Sequence, residues 1–465
     1  MIESGQKKVL FGISFDGVPM SGLIVEFIKS AEVFHECGYE IFFDLGYDIK
    51  ADKYNFHKEY DESSRWLPEW IQLKRTCTSS DIAGYNRDSV DYVLKNVIPC
   101  TDGGAELKDE WREIDSLSQV IKDRILEVWR DLEVSFVMVE NGTLPENIIF
   151  TNALCNAIEE YGKEQGLDRF VMWRDHDLMW WSEPGKYGEE PYLTTPRLRQ
   201  SPYIQYVVLH DLAKEKLSEW SPGANVVVLP NTFDFSPLAI DAENQSFRQD
   251  FGIPEDALLI GRCTRIIVQK RIDRDIDLLA RLNRIALEQG LEREIHLFVA
   301  GNVDEDKDEF HRLKKMASEL GVGDRVTFGN ELRSHGKVHG PSQNQARYSI
   351  ADLLSHCQLN SFLTSYDYEG FGNPIGESVA SGVPYITTSY ELYDSIYRQL
   401  GLRAPVLGIS EEEDGLADEN FVREVYSLLT DDGKRDSIAH QNYRCGQEHL
   451  ALTQLENRLK SLFSL

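Results

Sequence analysis

Apolar residues along this chain fall into short solid runs alternating with stretches of helical spacing. Val9 to Phe15 is a run of the first kind and predicts a strand. Leu23, Phe27, Ala31 and Phe34 then recur at helical spacing within Leu23 to Cys37, Gly38 closes that helix, and Tyr39 to Leu45 is a second strand. The opening is therefore β-loop-α-β of Rossmann type, without the G-x-G-x-x-G of a dinucleotide site. Asp48 to Asp115 is polar and aromatic, and no regular pattern runs through it. An amphipathic helix follows over Ser116 to Leu132, with Ile121, Ile125, Val128 and Leu132 on one face. Strands are expected at Val134 to Val139, Arg169 to Trp173, Tyr203 to Leu209 and Asn225 to Leu229, with a helix over Asn147 to Tyr161. Pro237 to Pro254 reads as a linker. The alternation then resumes, with strands at Ala257 to Arg262, Ile295 to Ala300, Val326 to Phe328 and Ala404 to Leu407. The matching helices are Ile276 to Gln289, Tyr348 to Cys357, Phe421 to Leu429 and Arg435 to Phe463.

A chain of 465 residues exceeds what one core holds, so two or three domains are expected. The net charge of −29 argues against nonspecific nucleic-acid binding and against docking on anionic lipid, and it fits a small soluble partner. The cysteines are scattered singly, with no C-x-x-C. Neither zinc nor a disulfide framework is indicated, and an odd count of 7 fits a reducing cytoplasm. No run reaches the ~20 apolar residues of a spanning helix, and the N-terminus lacks a signal-peptide core.

The densest chemistry lies between Leu359 and Thr388. Leu359, Phe362 and Leu363 read as a strand, and Glu369-Gly370-Phe371-Gly372-Asn373 as a glycine-rich loop. Pro374 suits the first turn of a helix whose apolar face is Ile375, Val379 and Ala380, and Gly382 ends it. Such a loop presents backbone N–H groups at a positive helix N-terminus, a ready site for an anion. Glu369 and Glu377 frame it with E-x7-E spacing. Carboxylates repel phosphate but accept from hydroxyls. Phosphate and hydroxyls together point to a nucleotide sugar.

E-G-F-G-N-P-x-x-E followed by A-S-G-V-P resembles the donor-site signature of retaining GT-B glycosyltransferases, most closely glycosyltransferase family 4. The resemblance implies an α/β fold of two doubly wound Rossmann-like domains facing across a cleft. These would be residues 1–235, on the acceptor side, and 236–446, which bind the nucleotide sugar. A terminal helix over 447–465 would cross back to the first domain. The segment Leu229-Pro230-Asn231-Thr232-Phe233-Asp234 resembles the family's P-N-G-V-D crossing, with Thr232 in place of the glycine.

The resemblance also implies roles. Arg265 and Lys270 have the spacing of the family's R-x4-K pair, two cations that hold the diphosphate and help it leave; Arg262 competes for the first place. The N–H groups of Gly370, Phe371, Gly372 and Asn373 approach sugar and phosphate, Glu369 accepts from sugar hydroxyls, and Glu377 accepts from the ribose. Ser21 and Gly22 sit in the small-residue loop after the first strand. His176 falls where the family places a histidine facing the transferred sugar, the alternative being a buried structural histidine. Glu140, Asn141, Arg174 and Asp175, at the carboxyl ends of strands, are acceptor-side candidates. D-x-D metal motifs occur at Asp175, Asp273 and Asp304, too often in so acidic a chain to carry weight.

The expected reaction moves a hexose from a UDP- or GDP-sugar to a hydroxyl of a small acceptor with retained configuration. No cofactor is required and a metal is not essential. The rival readings are a glycosyltransferase working on lipid or polysaccharide at a membrane surface, and a non-catalytic nucleotide-sugar binder.

Overall fold

The computed structural model describes residues 7–14, 22–44, 67–76, 82–98, 108–144, 148–178, 181, 199–236, 238–329, 332 and 347–465. The chain forms two compact units, Met1–Pro230 with Leu455–Leu465, and Asn231–Val338 with Ser342–Gln454.

In the first unit the strands are β1 (Val9–Ser14), β2 (Glu40–Asp44), β3 (Ile71–Leu73), β4 (Phe136–Glu140), β5 (Val171–Asp175), β6 (Ile204–Val208) and β7 (Val226–Val228). They pair in parallel in the order β3-β2-β1-β4-β5-β6-β7. β1, β4, β5 and β6 are buried along their whole length, which is why apolar residues dominate them without a strict alternation. The helix expected from Ser116 begins at Lys108 and runs to Leu132. Its earlier turns carry Ile114 and Trp111, which continue the same apolar face onto the core. The helix Asp211–Trp220 was not anticipated, since it buries only Ala213 and Leu217.

The second unit has β8 (Leu258–Cys263), β9 (Ile295–Ala300), β10 (Val326–Gly329), β11 (Leu359–Phe362), β12 (Tyr385–Thr388) and β13 (Val406–Leu407). Their parallel order is β10-β9-β8-β11-β12-β13. Ile272, Ile276, Leu279, Leu282 and Ala286 line the buried face of the helix Ile272–Glu288. Both sheets are doubly wound. In each, strand order reverses between two central strands, β1 and β4 in the first and β8 and β11 in the second. Loops leaving the carboxyl ends of such a pair diverge and open a crevice, the general ligand position of open α/β sheets.

Two expectations are corrected. The stretch 237–254 is no linker but part of the second unit. Phe247 is fully buried with its ring against Phe251, Phe298 and Tyr348. Arg248 donates to the carbonyls of Pro254, Ala257 and His356. Two aromatics four residues apart within a polar run hid this packing. The terminal helix also breaks in two, Asp432–Leu450 and Leu452–Phe463, at an extended Ala451. The break is satisfied from outside, because Phe233 N donates to Leu450 O and Leu452 N donates to Phe233 O. Beyond it, Leu455 and Leu459 enter the core of the first unit, and the Phe463 ring meets Phe34 and Phe136.

Candidate active site

The loops after β8 and β11 carry most of the residues singled out in the second unit. Arg262, the competing cation, is fully buried on β8. It pairs with Asp275 at 3.3 Å and donates to the carbonyls of Ser361 and Lys270, so it braces the floor of the site. Arg271 adopts a left-handed φ of 51° where the helix Ile272–Glu288 begins, and is paired with Asp273 and Asp414. Arg265 is about half exposed and donates from Nε to Glu305 Oε1 at 2.6 Å.

Lys270 reaches β11's loop instead. Its Nζ is salt-bridged to Glu369 Oε1 and lies 4.8 Å from the centre of the Tyr368 ring. Thr364 Oγ1, just past the end of β11, donates to the same Glu369 oxygen at 3.0 Å. The Thr364 carbonyl in turn accepts from the buried Arg274. Lys270, Glu369 and Thr364 thus form one cluster at the switch point, and Arg265 is tied elsewhere.

The glycine loop continues from Glu369. Gly372 has φ 88° and caps the helix Asn373–Ala380, with Pro374 in its first turn. Glu377 lies one turn inside this helix and is partly buried. The Phe371 side chain is buried. Asn373 Oδ1 accepts from Asn231 Nδ2 at 2.9 Å, which leaves its N–H for a ligand.

In the first unit, Glu140 closes β4 directly opposite Arg174 of β5 in the strand register. Arg174 donates to both Glu140 oxygens, from Nε at 2.9 Å and from Nη2 at 2.7 Å. His176 Nε2 lies 2.7 Å from Glu140 Oε2. An ionised Glu140 makes Nε2 the donor and leaves Nδ1 as the other ring nitrogen. Burial alone would raise the Glu140 pKa, but the Arg174 charge and the bonds from His176 and Arg174 bring it below the usual carboxylate range. Asn141, at a left-handed φ of 57°, accepts from His176 N through Oδ1 at 2.6 Å. Asp175 Oδ1 accepts from Thr143 Oγ1 at 2.7 Å, and burial pushes the Asp175 carboxyl up to about 7.

Glu140, Asn141, Arg174 and Asp175 are all buried, so they do not offer an acceptor-facing surface. Glu140 and Asn141 hold His176, through its Nε2 and its backbone N–H. Gly22 begins the helix Gly22–Glu36 after β1, and Ser21 lies outside the described residues.

The D-x-D matches have structural uses. Asp273 and Asp275 pair with Arg271 and Arg262, Asp306 caps a helix by accepting from Glu309 N, and Asp175 holds Thr143. Among the described residues no cluster of three or more His, Cys, Asp or Glu is placed to hold a metal ion. No helix among them is long and apolar enough to cross a membrane.

Sequence reasoning missed Thr364, and Tyr390 and Tyr397 behind the loop. Thr364 is a polar residue ending an apolar strand at the carboxyl edge. The tyrosines recur with Tyr393 at helical spacing in S-Y-E-L-Y-D-S-I-Y.

Several known proteins resemble the chain in sequence or fold. Residues 243–444 match the family model described as "Glycosyl transferases group 1", and the two doubly wound sheets have the GT-B fold. Mannosylglucosylglycerate synthase of Thermotoga maritima is 26% identical over 275 residues, 56% of this chain and 61% of that protein. The chain therefore matches less than two thirds of that relative's length. Sucrose-phosphate synthase of Thermosynechococcus elongatus superposes with a TM-score of 0.63 at 12% identity, covering 99% of this chain and 98% of the other. HepE of Anabaena, solved in complex with UDP and glucose, gives 0.61 at 14% identity, covering 99% and 100%. At these identities the two structures establish the fold alone.

Proposed function

We propose that this protein is a retaining hexosyltransferase, moving a sugar from a UDP- or GDP-sugar to a hydroxyl of a small soluble acceptor. The observation that carries this reading is the cluster of Lys270, Glu369 and Thr364 beside the Gly370–Gly372 loop, at the switch point of the second sheet. Lys270 supplies positive charge where a leaving diphosphate gathers negative charge, and amides at the helix start add to it. Arg265, once released from Glu305, is the second cation. Glu369 uses Oε1 for Lys270 and Thr364, which leaves Oε2 to accept from a sugar hydroxyl. Glu377 accepts from the ribose.

On the first unit, the ionised Glu140 carboxylate accepts from His176 Nε2 and sets a fixed negative charge behind the imidazole. The bond from the anomeric carbon to the phosphate oxygen breaks and the bond to the acceptor oxygen forms on the same face. The acceptor's proton passes to the departing phosphate, so no side-chain base is required. Side-chain cations take the place a metal holds in other transferases, so turnover continues without one. A small acceptor is supported by the net charge of −29, which disfavours an anionic membrane, and by the partial similarity to mannosylglucosylglycerate synthase. Unpaired cysteines among the described residues fit a cytoplasmic place.

Thermal shift against UDP, GDP, ADP and their sugars, with and without magnesium, tests the reading. A ligand of the native state at a hundred times its Kd adds ~2.7 kcal/mol of stability. One nucleotide series should raise the melting temperature without magnesium. No response at millimolar ligand overturns the proposal.

A further inference from the structure

The glycine loop is held from behind by the segment that follows β12. Tyr390 Oη donates to the carbonyl of Phe371 at 2.8 Å, and Tyr397 Oη donates to the carbonyl of Gly372 at 2.9 Å. A third tie is made by backbone, as Glu391 N donates to Tyr366 O at 2.9 Å. Both hydroxyls are buried, and the rings are locked by their neighbours. Tyr397 meets Phe371 edge-on at 5.5 Å, and Tyr390 meets Phe362 of β11 edge-on at 5.8 Å. A side chain at 372 would collide with the Tyr390 hydroxyl, so glycine is required there by this contact as well as by its φ of 88°.

A trans peptide points its N–H opposite to its C=O, and no cis bond occurs among the described residues. Fixing the Phe371 carbonyl on the tyrosine side turns the Gly372 N–H to the other side. Fixing the Gly372 carbonyl does the same for the Asn373 N–H. These amides open the helix Asn373–Ala380, where N–H groups have no intrahelical acceptor, and neither finds a protein acceptor among the described residues.

We propose that Tyr390 and Tyr397 are positioning residues for the donor. Their hydroxyls hold two carbonyls of the glycine loop inward so that the Gly372 and Asn373 amides are aimed, before binding, at the diphosphate. This rests on the donor reading given above. A loop free to turn its peptides would have to order them on binding, and that ordering would subtract from affinity.

The test uses Tyr390→Phe and Tyr397→Phe, which remove one oxygen each, with Tyr385→Phe as the control. Tyr385 is a fully buried tyrosine of the same layer, but its hydroxyl meets Tyr393 Oη at 3.1 Å and no loop carbonyl. Titration calorimetry with UDP and GDP gives Kd, and thermal denaturation gives stability. Each of the first two variants should weaken nucleotide binding about fivefold, the worth of one net hydrogen bond. The control should bind like the wild type even where its melting temperature falls as far as theirs. If Tyr390→Phe does not fold, Tyr397→Phe reads the same effect through the Gly372 carbonyl. Unchanged Kd in the folded variants overturns the proposal, as does an equal loss in all three. Wild-type protein that binds neither UDP nor GDP overturns the donor reading itself, and this inference with it.

Discussion

Lys270 and Glu369 form a salt bridge in which only 12% and 9% of the two side chains remain exposed. Losing one member leaves the other charge without its partner in a desolvated place, at a cost of ~3–5 kcal/mol for a fully buried pair. Lys270→Ala should therefore lower the melting temperature, and it should reduce turnover by ~10² or more if the lysine stabilises leaving charge. Replacing both, as Lys270→Ala with Glu369→Gln, should cost less stability than the two single losses summed. Additive melting temperatures with wild-type kinetics would reject the pair as the centre of the site.

Glu377 makes a different prediction. It sits inside the helix Asn373–Ala380, one turn past the loop, and the proposed reading gives it the ribose rather than the reacting sugar. Glu377→Ala should weaken UDP or GDP binding by on the order of tenfold, as expected for a hydrogen bond to a charged group. The rate at saturating donor should change much less. Calorimetry and initial rates separate the two, and an unaltered Kd would remove the residue from the nucleotide site.

Glu140 predicts the acid limb of the stability curve. Its folded pKa lies below the ordinary 4.5, so its contribution is present above the unfolded value and is lost as pH falls through the folded one. Glu140→Gln strands the buried Arg174 and should lower the melting temperature at neutral pH. It should also flatten the loss of stability below pH ~4. Denaturation between pH 3 and 8 measures both, and parallel wild-type and variant curves would contradict the arrangement.

Asp175 has the opposite sign. Its folded pKa of about 7 stands above the ordinary 3.8, so the native state keeps a proton that the unfolded chain releases. Stability then falls with rising pH between about 4 and 7, at up to ~1.4 kcal/mol per pH unit, and levels off above. Asp175→Asn keeps an oxygen for Thr143 and should remove that slope, which a melting series in buffers spanning the window would detect.

Much of this could be read from the chain because its strands are buried on both faces. Val9–Ser14, Leu258–Cys263 and Ile295–Ala300 stand out as short runs dominated by apolar residues. The glycine loop's shape was legible for a related reason: glycine and proline at fixed offsets leave few structural alternatives. Partner choice among charges was not legible. Arg262, Arg265, Lys270 and Arg271 are equivalent as letters, yet only Lys270 meets Glu369, because alternation along β8 turns Arg262 into the core and Asp414, far along the chain, holds Arg271. The burial of Glu140 and Arg174 was likewise hidden, since each is tolerated inside only through the other, and that pairing depends on the register of β4 with β5.

The tail of the last helix belongs to the first unit, where Leu455 and Leu459 complete the apolar layer around Leu10 and Phe136. On the ribosome that layer must wait. Residues up to Pro230 emerge first, yet the piece that covers them is made only after the entire second unit. The second unit, whose own strands are contiguous in synthesis, can close earlier. A newborn chain therefore carries an uncovered greasy surface for most of its translation, which makes its early half a natural client for a chaperone.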